Sequence, residues 1–243
     1  MNSTNPSACA KLMTDIECNG NTPQLVNFKG TIDGNNHKIT LCGHPLIKSA
    51  KGGAVIKNLV LDGAVKEENN SAAFIESIGA DEQSVTIRNC ANAADIYASC
   101  NNAAGFVGYV GGNSVLNIKN SYNYGLITSM GDMANAFANS DASAFIRCEN
   151  SYYLLDCTKI NETTVINMQD GIQASAERFA SGEIAYKLNK SAGDIVFGQT
   201  IGRDAYPIGA LSGAQVVYKS NNQYQNRSGL FAAMGEDLSL IHI

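Results

Sequence analysis

Short runs in which apolar and polar residues alternate recur along the first two thirds of the chain. Residues 55–59 read Val-Ile-Lys-Asn-Leu, and similar runs follow at residues 85–90, 116–121 and 144–151. Gly, Asn, Asp and Ser, which tolerate the dihedral angles of turns, lie between the runs. Because no apolar stripe with a helical period appears in this region, the pattern predicts short β-strands joined by tight turns.

Alternation also predicts which side chains share a face of each strand, because successive side chains point to opposite faces. For the run at residues 55–60 we expect Ile56, Asn58 and Val60 on one face and Val55, Lys57 and Leu59 on the other. Residues 28–40 have the form of a strand, a Gly/Asn turn and a second strand, so we expect the first coils there.

Two markers repeat with nearly one period. The asparagines of the runs, Asn58, Asn89, Asn120 and Asn150, recur at a nearly constant spacing of roughly 31 residues. Three phenylalanines, Phe74, Phe106 and Phe137, keep almost the same spacing. Such a period is too short for strand–helix–strand units with full helices. It predicts an all-β fold, a parallel β-helix whose coils stack on one another and bury a shared core.

The repeated asparagines are expected at one corner of every coil, where their side-chain amides can stack along the axis as amide ladders do in cross-β assemblies. Asn58, Asn89, Asn120 and Asn150 are therefore predicted to form a structural ladder. The alternative is that these residues contact a ligand or a metal ion.

Composition fits such a stack. Charged residues make up 16% of the 243 residues, while the chain has 27 Asn, 23 Gly and no Trp. Like charges on directly opposite strand positions are destabilising, which favours a low charge content. Lys57, Arg88 and Lys119 nevertheless share one coil position, and we expect a solvated outward row. The net charge of −5 argues against a nucleic-acid partner. No apolar run is long enough to predict a membrane-spanning helix.

The seven cysteines and three histidines do not have the spacing of zinc ligands, so neither a metal site nor a cofactor is predicted. We expect thiols that fill small spaces in the core. A disulfide, for example between Cys90 and Cys100, is the alternative.

The chain shows no catalytic constellation. Asp33 and His37 lie close together in sequence, but Asp33 is expected to hold a turn and His37 to lie at the surface. The remaining candidate carboxylates fall at different coil positions: Asp62, Glu67, Glu68, Asp95 and Asp132. We therefore predict no catalytic residue. A β-helix polysaccharide lyase or glycosidase, which needs clustered carboxylates or metal-binding Asp residues, is the alternative function.

Four tyrosines are candidates for carbohydrate binding, because a phenol ring offers an apolar face and a polar tip. They are Tyr122, Tyr124, Tyr152 and Tyr153. The alternative is that they cover the end of the hydrophobic stack.

The periodicity changes after Leu155. Residues 174–180 and 182–188 predict two short helices broken at Gly182, which we expect to cover the open end of the solenoid. We divide the chain into a parallel β-helix at 1–157, a helical cap with its closing segment at 158–219 and the start of a linker or further module at 220–237. Residues 238–243 resemble a translated sequencing adapter. The N-terminus does not look like a secretory signal, so either the protein is cytosolic or a leader lies upstream of residue 1. We expect the leader, because a strand-like segment, Ala10–Ile16, begins almost at once with no lead-in.

These segments resemble the GLUG-motif repeats of bacterial cell-surface proteins. Gly105-Phe106-Val107-Gly108 matches the family motif, and the equivalent place in the preceding repeat keeps the aromatic Phe74. Further segments that look like parts of the family pattern are residues 28–39, 150–154, 179–189, 197–199 and 202–207. The resemblance implies a right-handed parallel β-helix in secreted or wall-attached, adhesin-like proteins. A related array also occurs as a non-catalytic part of some bacterial immunoglobulin-cleaving proteases.

Repeat, composition and resemblance together predict a non-enzymatic extracellular module that serves adhesion or structural display. Its expected partners are host or environmental glycans or surface proteins, and we expect a monomer.

Overall fold

The computed structural model describes residues 5–165, 171–209 and 213–226. Residues 238–243 and most of the segment 220–237 lie outside the described residues. Within them the chain forms a parallel β-helix with a small helical cap, which confirms the predicted fold class.

Each coil contributes a strand to a first parallel sheet, here sheet 1. Among the described residues, sheet 1 has six strands: Cys9–Lys11, Thr31–Asp33, Val55–Lys57, Val85–Arg88, Val115–Lys119 and Phe145–Glu149. All of them pair in parallel and in unbroken register, so equivalent residues of successive coils lie side by side.

After a corner the chain enters sheet 2. Its coil strands are Ile16–Glu17, Lys38–Gly43, Val60–Glu67, Ala91–Asn92, Asp95–Ala98, Tyr122–Asn123, Ile127–Ser129, Tyr152–Leu154 and Thr158–Ile160. Thr163–Thr164 adds an antiparallel strand, and Ile172–Ala174 pairs in parallel with Tyr152–Leu154. The long strand Val60–Glu67 aligns with two short strands of the next coil, Ala91–Asn92 and Asp95–Ala98.

The third side of the column is sheet 3, with strands Ile47–Ala50, Ile75–Ile78, Val107–Val110 and Ala138–Ser140. A short sheet precedes it, with strands Ser71–Ala72, Ala103–Ala104 and Ala134–Asn135. The first coils do not contribute a strand to this short sheet. Ala10 pairs with Ile32 and Ile32 pairs with Ile56, so these coils are shorter than the later ones. The predicted period therefore applies only from Val55 onward.

The predicted strand faces are wrong after Asn58. Asn58 has a φ of 53°, in the left-handed region, so the chain turns a corner there instead of continuing the strand. Ile56 and Leu59 both point into the core, while Val60 points outward on sheet 2. Asn and Asp tolerate this conformation better than other non-glycine residues, which explains why asparagine recurs at the corner.

The core consists of columns of like residues. Ile32, Ile56, Ile87 and Ile118 face one another across sheet 1 and are at most 3% exposed. The three phenylalanines that mark the period form a second column: the ring centroids of Phe74 and Phe106 are 4.7 Å apart, and those of Phe106 and Phe137 are 5.3 Å apart. Burying each such side chain contributes about 1.5–3 kcal/mol, which is available only when coils stack.

Two helices follow the solenoid: α1 (Ala176–Ala180) and α2 (Glu183–Ala192). The side chain of Ser175 accepts a hydrogen bond from the backbone of Arg178 and so caps α1, and Gly182, with a φ of 86°, separates the helices. Two hairpin-like pairs complete the cap, Phe197–Gly198 with Ile208–Gly209 and Val217–Ser220 with Gln223–Asn226. The expected boundary at 219/220 falls inside the second pair.

The cap lies along the side of the column and does not close its end, contrary to our expectation. Buried Phe179, Ile184 and Leu188 pack against Tyr122 and Tyr152 on the outer face of sheet 2. The reason is the outward-pointing apolar column at this position, which gives the apolar stripe of α2 a surface to cover. In the described part of the chain, neither helix has a length and hydropathy that could cross a bilayer.

The last coil is covered on one side by the segment after it. The hydroxyl of Thr158 donates a 2.8 Å hydrogen bond to the carbonyl oxygen of Val165. A Cβ added at Gly171 would meet the rings of Phe137 and Tyr153, so the backbone itself closes this part of the stack.

Candidate functional site

The predicted asparagine ladder occupies the corner between sheets 1 and 2. The side-chain amide of Asn89 donates a 3.0 Å hydrogen bond to the amide oxygen of Asn58, and that of Asn150 donates a 2.9 Å bond to Asn120. Between the two pairs, the backbone N–H of Asn89 donates to the carbonyl oxygen of Lys119, which precedes Asn120. All four asparagines have φ between 44° and 56°.

Each end of the ladder has a different partner. At the first coil, Asp33 accepts hydrogen bonds from the amide of Asn58 (3.0 Å) and the backbone of Asn35 (2.9 Å), and pairs with Lys57 at 2.9 Å. At the last coil, the amide of Asn150 donates to the carbonyl oxygen of Lys187 in the cap. The amides therefore have protein partners, as a structural ladder requires.

These contacts also set the ionisation of Asp33. Partial burial by itself raises the pKa of its carboxyl group, but the hydrogen bonds from Lys57, Asn35 and Asn58 lower it more, so the pKa lies below the ordinary value. Asp33 is thus an ionised anchor of the turn. His37, the other half of the pair considered from sequence, bonds to Asp15 through Nδ1 at 3.1 Å.

A second pair of stacked asparagines, not predicted from the sequence, lies inside the column. Asn92 and Asn123 are fully buried, and the amide of Asn92 donates a 2.7 Å hydrogen bond to the side-chain oxygen of Asn123. Each amide also donates to the carbonyl oxygen two residues further along, of Ala94 and Gly125 respectively. The sequence contained a signal for this pair, because Asn92 and Asn123 have the same spacing as Asn58 and Asn89.

Three of the four candidate sugar-binding tyrosines are buried. Tyr122 is 0% exposed and lies beneath the cap, where its hydroxyl donates to the carbonyl oxygen of Pro207. Tyr152 is 3% exposed and donates a 2.8 Å hydrogen bond to the side-chain oxygen of Asn150. Tyr153 is 6% exposed and meets the ring of Phe137 edge to face. Burial argues against sugar stacking at these three residues. Tyr153 packs in the core near the end of the stack, as the alternative has it, whereas Tyr122 and Tyr152 pack beneath the cap on the outer face of sheet 2.

Tyr124 is the candidate that retains a partly accessible ring. It stacks on Tyr206 of the cap with centroids 4.1 Å apart. Burial, with smaller contributions from Asp62 and Tyr206, raises the pKa of Tyr124 to about 12. The carbohydrate prediction thus stays open at Tyr124, now paired with a residue that the sequence did not associate with it.

The cysteines fall into three environments: buried, exposed and, for Cys18 and Cys148, partly buried. Cys90 and Cys157 are buried, and burial raises the pKa of each to about 12. Cys9, Cys42 and Cys100 are exposed, so the expectation of core thiols is wrong for these three. The buried Cys90 and the exposed Cys100 do not form the disulfide considered above. Within the described residues no cluster suited to a metal ion is found.

A shallow cleft lies where the first two coils meet, lined in part by Cys18, Cys42 and His44. His44 contacts the carboxylate of Glu67 through Nδ1 at 2.5 Å. Burial raises the pKa of Cys18, which disfavours the reactive thiolate. Burial of Cys18 therefore argues against a nucleophilic role for its thiol.

The candidate carboxylates remain dispersed. Asp62 pairs with Lys38 at 2.9 Å, and Asp95 accepts a hydrogen bond from the backbone of Leu126. Glu67 contacts Nδ1 of His44, while Glu68 lies 3.7 Å from the thiol of Cys100. Asp132, in the turn after sheet 2, is not joined to them by any contact among the described residues. The structure therefore does not bring these carboxylates together as an acid–base pair.

No protein-family model matches the chain, and no curated protein matches it. One solved structure is similar: a protein from Bacteroides ovatus described as a "putative immunoglobulin A1 protease". The two chains are 17% identical, the alignment covers 85% of this chain and 86% of that chain, and the TM-score is 0.59. At this identity the similarity concerns the fold alone.

Proposed function

We propose that the chain is a non-enzymatic β-solenoid module of an extracellular bacterial protein, which serves adhesion or structural display. One observation carries the proposal. The side chains that could serve catalysis or ligand binding are occupied by hydrogen bonds and packing contacts within the protein itself. Asp33 and the ladder asparagines bond to one another, and Tyr122 and Tyr152 hold the cap. What remains outside is a long, regular surface.

The resemblance to GLUG-motif repeats supports the extracellular setting in this proposal. The structural neighbour is consistent with it, since a repeat array can accompany a protease without containing the catalytic site. The name of that neighbour, an immunoglobulin A1 protease, also motivates a direct test of proteolysis.

The proposal predicts binding without turnover. The folded protein would be immobilised on beads, and retention of intact cells and of a glycan panel would be compared with that on beads carrying heat-denatured protein. In parallel, the soluble protein would be incubated with pectin, alginate and immunoglobulin A. We expect specific retention and intact substrates. New reducing ends, unsaturated sugar products or antibody fragments would overturn the non-enzymatic assignment.

A further inference from the structure

The outer face of sheet 1 concentrates positive charge on a protein whose net charge is −5. Strand register places one row of outward residues along the axis: Lys11, Asp33, Lys57, Arg88, Lys119 and Glu149. Arg147 lies in the adjacent outward row, beside Asn117 and Thr86. We call Lys57, Arg88, Lys119 and Arg147, with Thr86 and Asn117 between them, the cationic face.

The carboxylates in this region are already engaged. Asp33 pairs with Lys57 at 2.9 Å, and Glu149 pairs with Lys119 at 2.6 Å. In the part of the chain that the structure describes, Arg88 and Arg147 form no ion pair within the usual contact distance, and both are exposed. The two guanidinium groups are therefore available to an external anion.

The arrangement has a cost in the isolated protein. Arg88 lies between Lys57 and Lys119 on adjacent strands, and like charges on directly opposite strand positions are destabilising. The ion pairs of the two lysines with Asp33 and Glu149 reduce this repulsion but leave the charge of Arg88 in excess. A guanidinium group is suited to bidentate binding of a carboxylate, in a geometry that an ammonium group cannot offer. An anion laid across these strands would relieve the repulsion.

We propose that the cationic face binds a linear, carboxylate-bearing polysaccharide, which would run along the solenoid axis. This inference rests on the proposed function and names the class of partner. Neighbouring strands are about 4.8 Å apart, so the charges form a repeating row that suits a polymer with a charge on each unit.

The polar positions of the face favour a sugar chain over other polyanions. Thr86 supplies a hydroxyl between the cations, and Asn117 supplies an amide oxygen while its NH2 group donates to the hydroxyl of Ser84; both groups are suited to sugar hydroxyls.

The test compares binding of the full chain to polygalacturonate with binding to neutral dextran, at salt concentrations of about 50 mM and about 300 mM, since exposed charges are screened by salt. The key variant is Arg88→Gln with Arg147→Gln. Its matched control is Lys66→Gln with Lys159→Gln, which removes the same charge from one outward row of sheet 2.

We expect the wild type to bind polygalacturonate in a salt-dependent manner and to ignore dextran. The arginine double variant should bind about tenfold more weakly, and the lysine control should change affinity by less than about twofold. Because the substitutions relieve repulsion, the melting temperature of the arginine variant should stay equal or rise.

Three outcomes would overturn the inference. One is an equal loss in both double variants, which would show a net-charge effect. Another is equal or tighter binding of dextran sulfate or poly-glutamate, which would remove the assignment to a carboxylated sugar chain. The last is no binding of polygalacturonate at low salt. None of them would refute the display function, which fails only if turnover is seen or cell and glycan retention is absent.

Discussion

The side-chain amides of Asn92 and Asn123, which lie one coil apart, share a 2.7 Å hydrogen bond inside a column from which solvent is excluded. A buried polar group that loses its partner keeps the full cost of its desolvation. This pair therefore favours one register between its two coils, because a slip of one residue would break the bond between the amides and leave Asn92 with only the carbonyl oxygen of Ala94 as acceptor.

We expect Asn123→Ala to lower the free energy of unfolding by about 1–3 kcal/mol, since the side-chain amide of Asn92 would lose one of its two acceptors. Urea denaturation followed by circular dichroism measures the change. The double variant Asn92→Ala/Asn123→Ala should cost less than the sum of the two single changes. Strict additivity would show that the two amides are not coupled.

Substitutions at Asn89 should separate backbone conformation from amide bonding. Asn89→Gly keeps the left-handed geometry and loses the bond to Asn58, which we expect to cost about 1 kcal/mol. Asn89→Ala adds roughly 1–2 kcal/mol for the left-handed conformation. Equal stability of the two variants in denaturant titrations would contradict this expectation. It would show that the backbone at Asn89 can relax and that the fold does not require its φ of 56°.

The phenylalanine column should behave as a packed core. Phe106 lies between Phe74 and Phe137, so we expect Phe106→Ala to lower the free energy of unfolding by about 3–5 kcal/mol. Phe106→Leu fills most of the space and should cost less. Exposed Phe145→Ala is the matched control, and a loss of similar size there would contradict the role of burial.

Tyr122→Phe should loosen the cap while leaving the solenoid folded. The substitution removes the hydroxyl that donates to Pro207 and leaves that buried acceptor unpaired, at a cost of about 1–3 kcal/mol. Limited proteolysis should cleave the segment after residue 158 faster than in the wild type. Unchanged cleavage would show that aromatic packing alone holds the cap.

Acid should weaken the cap through Glu183. Hydrogen bonds from Arg178, opposed by burial and reinforced by Lys187, lower the pKa of Glu183 from 4.5 to about 2. Because the folded-state pKa is the lower one, the stabilisation is complete above pH 4.5 and is lost as the pH falls toward about 2. Urea unfolding across this range should show the wild type converging with Glu183→Gln. The exposed Glu17→Gln should not remove this pH dependence, and parallel curves for wild type and Glu183→Gln would refute the assignment.

The repeat could be predicted because stacked coils impose a period that is visible in the sequence. Asn58, Asn89 and Asn120 keep their spacing because each turns the same corner in the left-handed conformation, one strand from the next. The faces on which Leu59 and Val60 lie could not be predicted. The sequence continues to alternate through this region, but the left-handed corner at Asn58 interrupts the strand.

The candidate site was harder to predict. An apolar stripe such as that of Ile184 and Leu188 indicates that a helix is covered, but not by which surface. The sequence therefore could not distinguish a cap on the end of the column from a cap on its side. The burial of Tyr122 could not be predicted either, because it results from the position of the cap on the side. The partnership of Tyr124 with Tyr206 joins residues that are distant in sequence and share no period.

The lateral cap also bears on how the molecule comes apart. It reaches from Lys187, which holds Asn150 of the last full coil, to Gly209, which lies against the carbonyl oxygen of Asn36 near the first. A solenoid whose repeats touch only their neighbours can fray from its ends one repeat at a time. Here the cap bridges distant repeats, so a terminal repeat can fray only after the cap detaches. Unfolding therefore becomes a cooperative event for the column as a whole.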